Sequence, residues 1–397
     1  MPEPGAPPFR RDRLVWTLYL LWGLFSYCLC MIGPAVPYLR DRFHLGYMLA
    51  ALHMTLFAVG MVGSGLAAPA VLRRAGVVPG TWLGMAGLLA GTMLLVLAPA
   101  VGLSLAATLV VGLSGALALT GAQTSISALF PTQRAQALVE GTVVASLFSA
   151  APPFLIALGV LTPLGWRIIG PAFAAGLAAV AILGGPAMGR HGRSDSARLP
   201  DAEGPLPRDF WVSWVLMLTG VSCEWCLGFW ATEYLKDLPG RSLSVAALGA
   251  GVFQVAAVAA RLVSSRAART LPEGRLLVAG MVLVAAGFPS YWLRAGIASA
   301  FLGLSLCGAG VAIFYPMTLS LMVASSGGRL RRANASAPVA IGLSVGLGPL
   351  LLGRLADLLG LRAAMLSVPA TLAAMALLLA LRHGSRSLRG LAPQTHG

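Results

Sequence analysis

Runs of apolar residues separated by short polar turns fill this chain from one end to the other. Twelve can be counted, at about 14–37, 46–68, 79–100, 103–129, 138–161, 167–188, 211–235, 244–265, 275–293, 297–323, 334–357 and 361–381. Each is long enough to cross a bilayer core of roughly 30 Å. Lipid offers no hydrogen bonds to a stray backbone, so each segment is expected to be a helix. The first run follows Arg10, Arg11 and Arg13 at once and is too long for a signal-peptide core, so it reads as a retained helix.

Composition narrows the class. Apolar residues make up 57% of the 397, charged residues 10%, and mean hydropathy is +0.82. Soluble domains carry about a quarter charged residues, and disordered chains lack this much apolar surface. The expected class is therefore all-α and integral to a membrane, with the lipid bilayer as solvent. Gly (48) and Pro (26) inside the segments fit that class, because neighbouring helices re-satisfy the freed backbone.

The net charge of +15 would point to nucleic acid in a soluble protein. Its distribution points elsewhere. With the N-terminus inside, 20 of the 28 basic residues fall on the inner side and 8 on the outer. This bias predicts cytoplasmic termini and leaves no nucleic-acid role. Only Lys236 is lysine; the arginine, alanine and glycine usage fits a GC-rich, bacterial coding sequence, hence an inner (plasma) membrane.

The segments are organised as two halves. A Pro/Gly/Ser-rich stretch at 189–209 separates 1–188 from 210–397 and reads as a cytoplasmic linker. Ser26-Tyr-Cys-Leu-Cys30 faces Ser222-Cys-Glu-Trp-Cys226, Tyr38-Leu-Arg-Asp41 faces Tyr234-Leu-Lys-Asp237, and Phe57 faces Phe253, all at an offset of 196. Arg134-Ala-Gln-Ala137 faces Arg332-Ala-Asn-Ala335 at 198. The near-constant offset implies a duplicated six-helix unit, its copies related by a pseudo-two-fold axis along the membrane normal. Transporters use that architecture, with a central site opened alternately to each side.

The whole pattern resembles the major facilitator superfamily. Gly33-Pro-Ala-Val-Pro37, Phe130-Pro-Thr-Gln-Arg-Ala135, Gly165-Trp-Arg167 and Gly346-Leu-Gly-Pro-Leu-Leu-Leu-Gly-Arg-Leu-Ala-Asp357 match its local habits. Gly220-Val-Ser-Cys-Glu-Trp225 with Trp230 and Tyr234 is similar to the fucose-permease branch of sugar porters. There are departures. In the loop between segments two and three, Arg73, Arg74 and Gly76 survive, but the family's aspartate and trailing arginines do not. Segment five has Ala145-Ser-Leu-Phe-Ser-Ala-Ala-Pro-Pro153 where drug–proton antiporters carry glycines. Segments one and four hold no acid, so the fucose-permease proton relay does not carry over.

Of thirteen acids, only Glu224 lies near the middle of a segment. A charge at that depth costs about 2.5–3.5 kcal/mol and usually faces a cavity or a partner. Such a carboxyl can exchange a proton near neutral pH, which makes Glu224 the candidate coupling group; the alternative is a protonated glutamate bonded between helices. Gly220 and Gly228 flank it one turn away, leaving room for a solute or allowing close packing. The resemblance implies that helices one, four, seven and ten line a cavity. That marks Tyr27, Gln123, Glu224 and Tyr315, with Trp225 and Gln254 next. Each also reads as an ordinary interhelical contact. His53 is a possible proton site or a packed neutral residue. Arg261 is the possible charge partner or an anion ligand, unless it snorkels to the inner surface.

Cys223-x-x-Cys226 lies in an apolar helix without a histidine cluster and reads as filler. No metal, cofactor, phosphate loop or catalytic set is expected, hence no enzyme. Gly342-Leu-Ser-Val-Gly346 fits the nucleophile-elbow spacing, but no strand precedes it. The expected function is secondary active transport of a small organic solute by alternating access, proton-coupled and carried out by a monomer. Efflux of a drug or metabolite, or a non-transporting receptor on the same scaffold, remains open.

Overall fold

A computed structural model describes residues 11–130, 134–159, 161–188, 205–238, 242–268 and 270–390. The linker at 189–209 lies outside them except for its last five positions. The helices are α1 (Arg13–Phe43), α2 (Tyr47–Ala75), α3 (Val77–Leu97), α4 (Val101–Leu129), α5 (Arg134–Gly159), α6 (Ile169–Met188), α7 (Arg208–Lys236), α8 (Leu243–Ala267), α9 (Glu273–Leu293), α10 (Ile297–Val311), α11 (Phe314–Ala324), α12 (Leu330–Leu359), α13 (Leu361–Ala364) and α14 (Ser367–Gly390). A 3-10 turn, Gly165–Ile168, leads into α6. Among the described residues twelve helical spans are long and apolar enough to cross a membrane. Large apolar side chains such as Leu66, Ile182, Val282 and Leu351 are exposed, a surface that water disfavours and lipid accepts.

Two expected segments are each split into two helices, for one reason. Proline has no N–H to give the carbonyl four residues back, and its ring crowds that carbonyl. Pro316 acts on Ala312, and α10 ends at Val311; Pro369 acts on Met365, and α13 ends at Ala364. Other ends follow capping chemistry. Asp12 accepts a hydrogen bond from the Val15 N–H at 3.0 Å and starts α1. Gly76 and Gly360 join α2 to α3 and α12 to α13 with no residue to spare, at φ of 90° and 81°, where a side chain would strain the backbone.

The described chain forms two compact units. Unit 1 comprises Met1–Arg198 with Gly240–Gly251; unit 2 comprises Leu199–Pro239 with Val252–Gly397. The start of α8 groups with unit 1. In unit 1, α1 packs on α4, α5 and α6, and α4 packs on α2 and α3. In unit 2, α7 is the central helix, against α11, α12 and α14, while α9 pairs with α10. That pairing needs glycine: a Cβ added to Gly303 would stand 2.5 Å from the Gly287 carbonyl oxygen.

Candidate functional site

Three contacts fix the rotation of α7 in unit 2. The Trp214 indole N–H donates to the Ser336 carbonyl at 3.1 Å, and that of Trp230 donates to the Pro349 carbonyl at 3.3 Å. The Ser344 hydroxyl donates to the Leu218 carbonyl at 2.8 Å. That bond accounts for the serine of the Gly342–Gly346 motif as an interhelical tie. One face of α7 enters a core of Phe210, Met217 and Val221 with Met322, Ala333, Ala337 and Ala340. At 100° per residue, Glu224 falls within about 60° of all three α7 residues, on the same face, which also carries Gly228 against Phe253 of α8.

Arg261, from the C-terminal half of α8, reaches Glu224 on that face. Its Nη2 donates to Glu224 Oε1 at 2.5 Å. The Glu224 side chain is 16% exposed and that of Arg261 32%, so the pair is sheltered without being sealed. An ion pair is the cheap way to hold a carboxylate at this depth, since each charge offsets the other's desolvation. The bond occupies one of five guanidinium donors; among the described residues Arg261's side chain makes no other hydrogen bond.

Two aromatic groups pack on the core that carries Glu224's face of α7. Trp225 and Tyr315 are half-buried and pack on the same core. Tyr315 sits in the first turn of α11, directly after the break before Pro316, and Glu224's charge acts on its hydroxyl. Gln254 is half-buried on α8, seven residues from Arg261 and so on its face. The glycines beside Glu224 are packing positions. A Cβ on Gly220 would lie 3.1 Å from Phe314 Cβ, and one on Gly228 would lie 3.1 Å from Phe253 Cε1.

The remaining expected residues belong to unit 1. Tyr27 is 4% exposed; its hydroxyl donates to the Ile169 carbonyl at 2.9 Å and its ring stacks on Phe173, an interhelical role between α1 and α6. Gln123 is half-buried on α4, and its amide makes no hydrogen bond among the described residues. His53 is fully buried, with Nδ1 3.0 Å from the Ala50 carbonyl and Nε2 2.9 Å from the Ser104 hydroxyl. Both ring nitrogens are thus engaged, Nδ1 within α2 and Nε2 in tying α2 to α4. All five cysteines are free thiols, and the described residues hold no cluster fit for a metal ion.

The sequence treated Arg382 only as an orienting charge on the inner side. In the structure it is 3% exposed, and Nη2 donates to the Leu321 carbonyl at 3.3 Å and the Ser325 hydroxyl at 3.0 Å. The Leu321 carbonyl already accepts from the Ser325 N–H and hydroxyl, so the guanidinium adds a charged donor there and meets the negative end of the α11 dipole. Arg382→Met is expected to cost about 1–3 kcal/mol, read as a melting temperature lowered by several degrees in detergent, with transport reduced only in proportion to folded protein.

The family model described as Major Facilitator Superfamily matches residues 15–323. A comparison with curated proteins finds no match. Among solved structures, a bacterial homologue of the human lysosomal transporter Spinster, inward-facing and occupied, superposes with a TM-score of 0.76 at 16% identity, covering 96% of this chain and 98% of that one. The xylose transporter XylE from E. coli gives 0.70 at 13%, covering 92% and 97%. The transporter FucP in its outward conformation gives 0.61 at 15%, covering 93% and 98%. At these identities the likeness is one of fold.

Proposed function

This chain belongs to the Major Facilitator Superfamily, and from that premise we propose that it is a secondary active transporter of a small organic solute, coupled to protons through Glu224. The twelve-span fold is that of transporters working by alternating access. One observation carries the finer reading: the single acid in the middle of a span pairs with an arginine from a different helix, and both side chains keep some exposure. A carboxylate so placed has two stable arrangements, bonded to Arg261 when charged and released from it when protonated. That is what a coupling site requires, because proton uptake changes which groups are free to meet a solute. Trp225, Tyr315 and Gln254 offer the aromatic faces and the amide that would border the solute.

The inner-membrane location, the cytoplasmic termini and a monomeric carrier belong to the same proposal, supported by the arginine bias between the two sides. The direction of transport follows from the gradient, so the proposal covers uptake and efflux alike. The test is flux. In proteoliposomes that enclose a pH-sensitive dye, a transported solute should drive proton movement in the wild type. A solute that binds the purified protein with no flux of either species would make the chain a receptor and end the transport reading.

A further inference from the structure

Glu224 and Arg261 together are neutral, and only one of them can change its charge. A guanidinium does not lose its proton in a protein, whereas a carboxylate can gain one. Protonating Glu224 therefore raises the site from zero to one positive charge, all of it on Arg261. A net charge at this depth is costly. A neutral solute arriving with the proton leaves that charge standing. A cation that displaces Arg261 from the carboxylate leaves the same charge. A monoanion arriving with the proton returns the site to zero. Resting on the coupling role proposed for Glu224, we infer that the transported solute is a small organic monoanion, its carboxylate or comparable group held by Arg261 while one proton sits on Glu224.

Geometry supports the assignment independently of this charge balance. Arg261 spends a single donor, Nη2, on Glu224, and its side chain is 32% exposed. The rest of its fork has no partner among the described residues and has the shape that binds a carboxylate in two-point fashion. Trp225 and Tyr315 offer apolar surface for the organic body. Arg261 of α8 is the charged group that acts on Glu224; the titratable neighbours are Tyr315 of α11 and Cys223 of α7, both neutral when protonated. Both states that must reorient are then electroneutral: the empty carrier with its ion pair, and the loaded carrier with proton and anion.

The test uses the purified full chain and three skeletons (propyl, benzoyl and gluconyl), each presented as carboxylate, primary amide and amine, with binding measured by calorimetry at acidic and neutral pH. Expected is binding confined to a carboxylate, at least about tenfold tighter than its amide, and tighter as pH falls. In Glu224→Gln, which keeps Arg261's charge without a competing carboxylate, that affinity should be independent of pH and match the wild type at acidic pH. Arg261→Lys should weaken it at least about tenfold, because the fork is lost while the charge stays. Preference for an amide or an amine, binding of none of the nine compounds, or unchanged pH dependence in Glu224→Gln overturns the assignment. An amide or amine that a pH gradient concentrates in the wild type but not in Glu224→Gln would defeat the anion class and leave the coupling role standing. Equal accumulation by both proteins would defeat the coupling role itself.

Discussion

Glu224→Gln is expected to abolish accumulation driven by a pH difference across proteoliposomes while preserving counterflow exchange. With one proton per solute, a difference of about one pH unit sustains about tenfold accumulation, since each factor of ten is worth about 1.36 kcal/mol. Glutamine has nearly the same shape and can hydrogen-bond, but it neither binds nor releases a proton. The variant should therefore equilibrate its solute to a ratio near one. Exchange survives because the loaded form, with Arg261 balanced by its anion, still reorients. The empty variant carries Arg261's charge unopposed, so its return step, and with it net transport, is slowed.

The second large effect concerns the pair itself. Arg261→Met alone leaves the Glu224 carboxylate charged and sheltered with no partner. Breaking a fully buried pair in this way costs about 3–5 kcal/mol, and the residual exposure of both side chains lowers that figure here. Replacing both members by uncharged groups of similar size removes the desolvation cost along with the attraction, and is often neutral. The double variant Glu224→Gln/Arg261→Met is thus expected to melt several degrees above Arg261→Met and close to the wild type, yet to transport nothing. A melting series of the four proteins in detergent gives the coupling energy between the two sites. Additive losses would mean that the two side chains do not act on each other.

The twelve spans were legible because lipid imposes one length and one conformation, so apolar run length alone locates them. The breaks after Val311 and Ala364 had a signal too, in Pro316 and Pro369, but a proline inside a membrane span only sometimes breaks it. Glu224 stood out by elimination among thirteen acids. Its pairing with Arg261 was one of several readings of that arginine, because it depends on the rotation of two helices, and a snorkelling arginine looks identical on paper. The same ignorance of rotation left Tyr27 as a cavity candidate, although the α6 carbonyl of Ile169 and the ring of Phe173 enclose it. Gly220 and Gly228 marked a narrow place on α7, and only the positions of Phe314, Met375 and Phe253 decided that it is filled by protein. Arg382 lay at the end of an apolar run, where basic residues usually meet headgroups, and nothing local revealed that it turns back onto α11.

The central claim is that Glu224 gains a proton when solute binds and leaves Arg261 as it does so. A solute-induced infrared difference spectrum of the wild type against Glu224→Gln addresses that event most directly. The account predicts that loading removes carboxylate bands and creates a carboxylic-acid carbonyl band, and that the variant shows neither. The same difference bands in both proteins would place the proton elsewhere and contradict it.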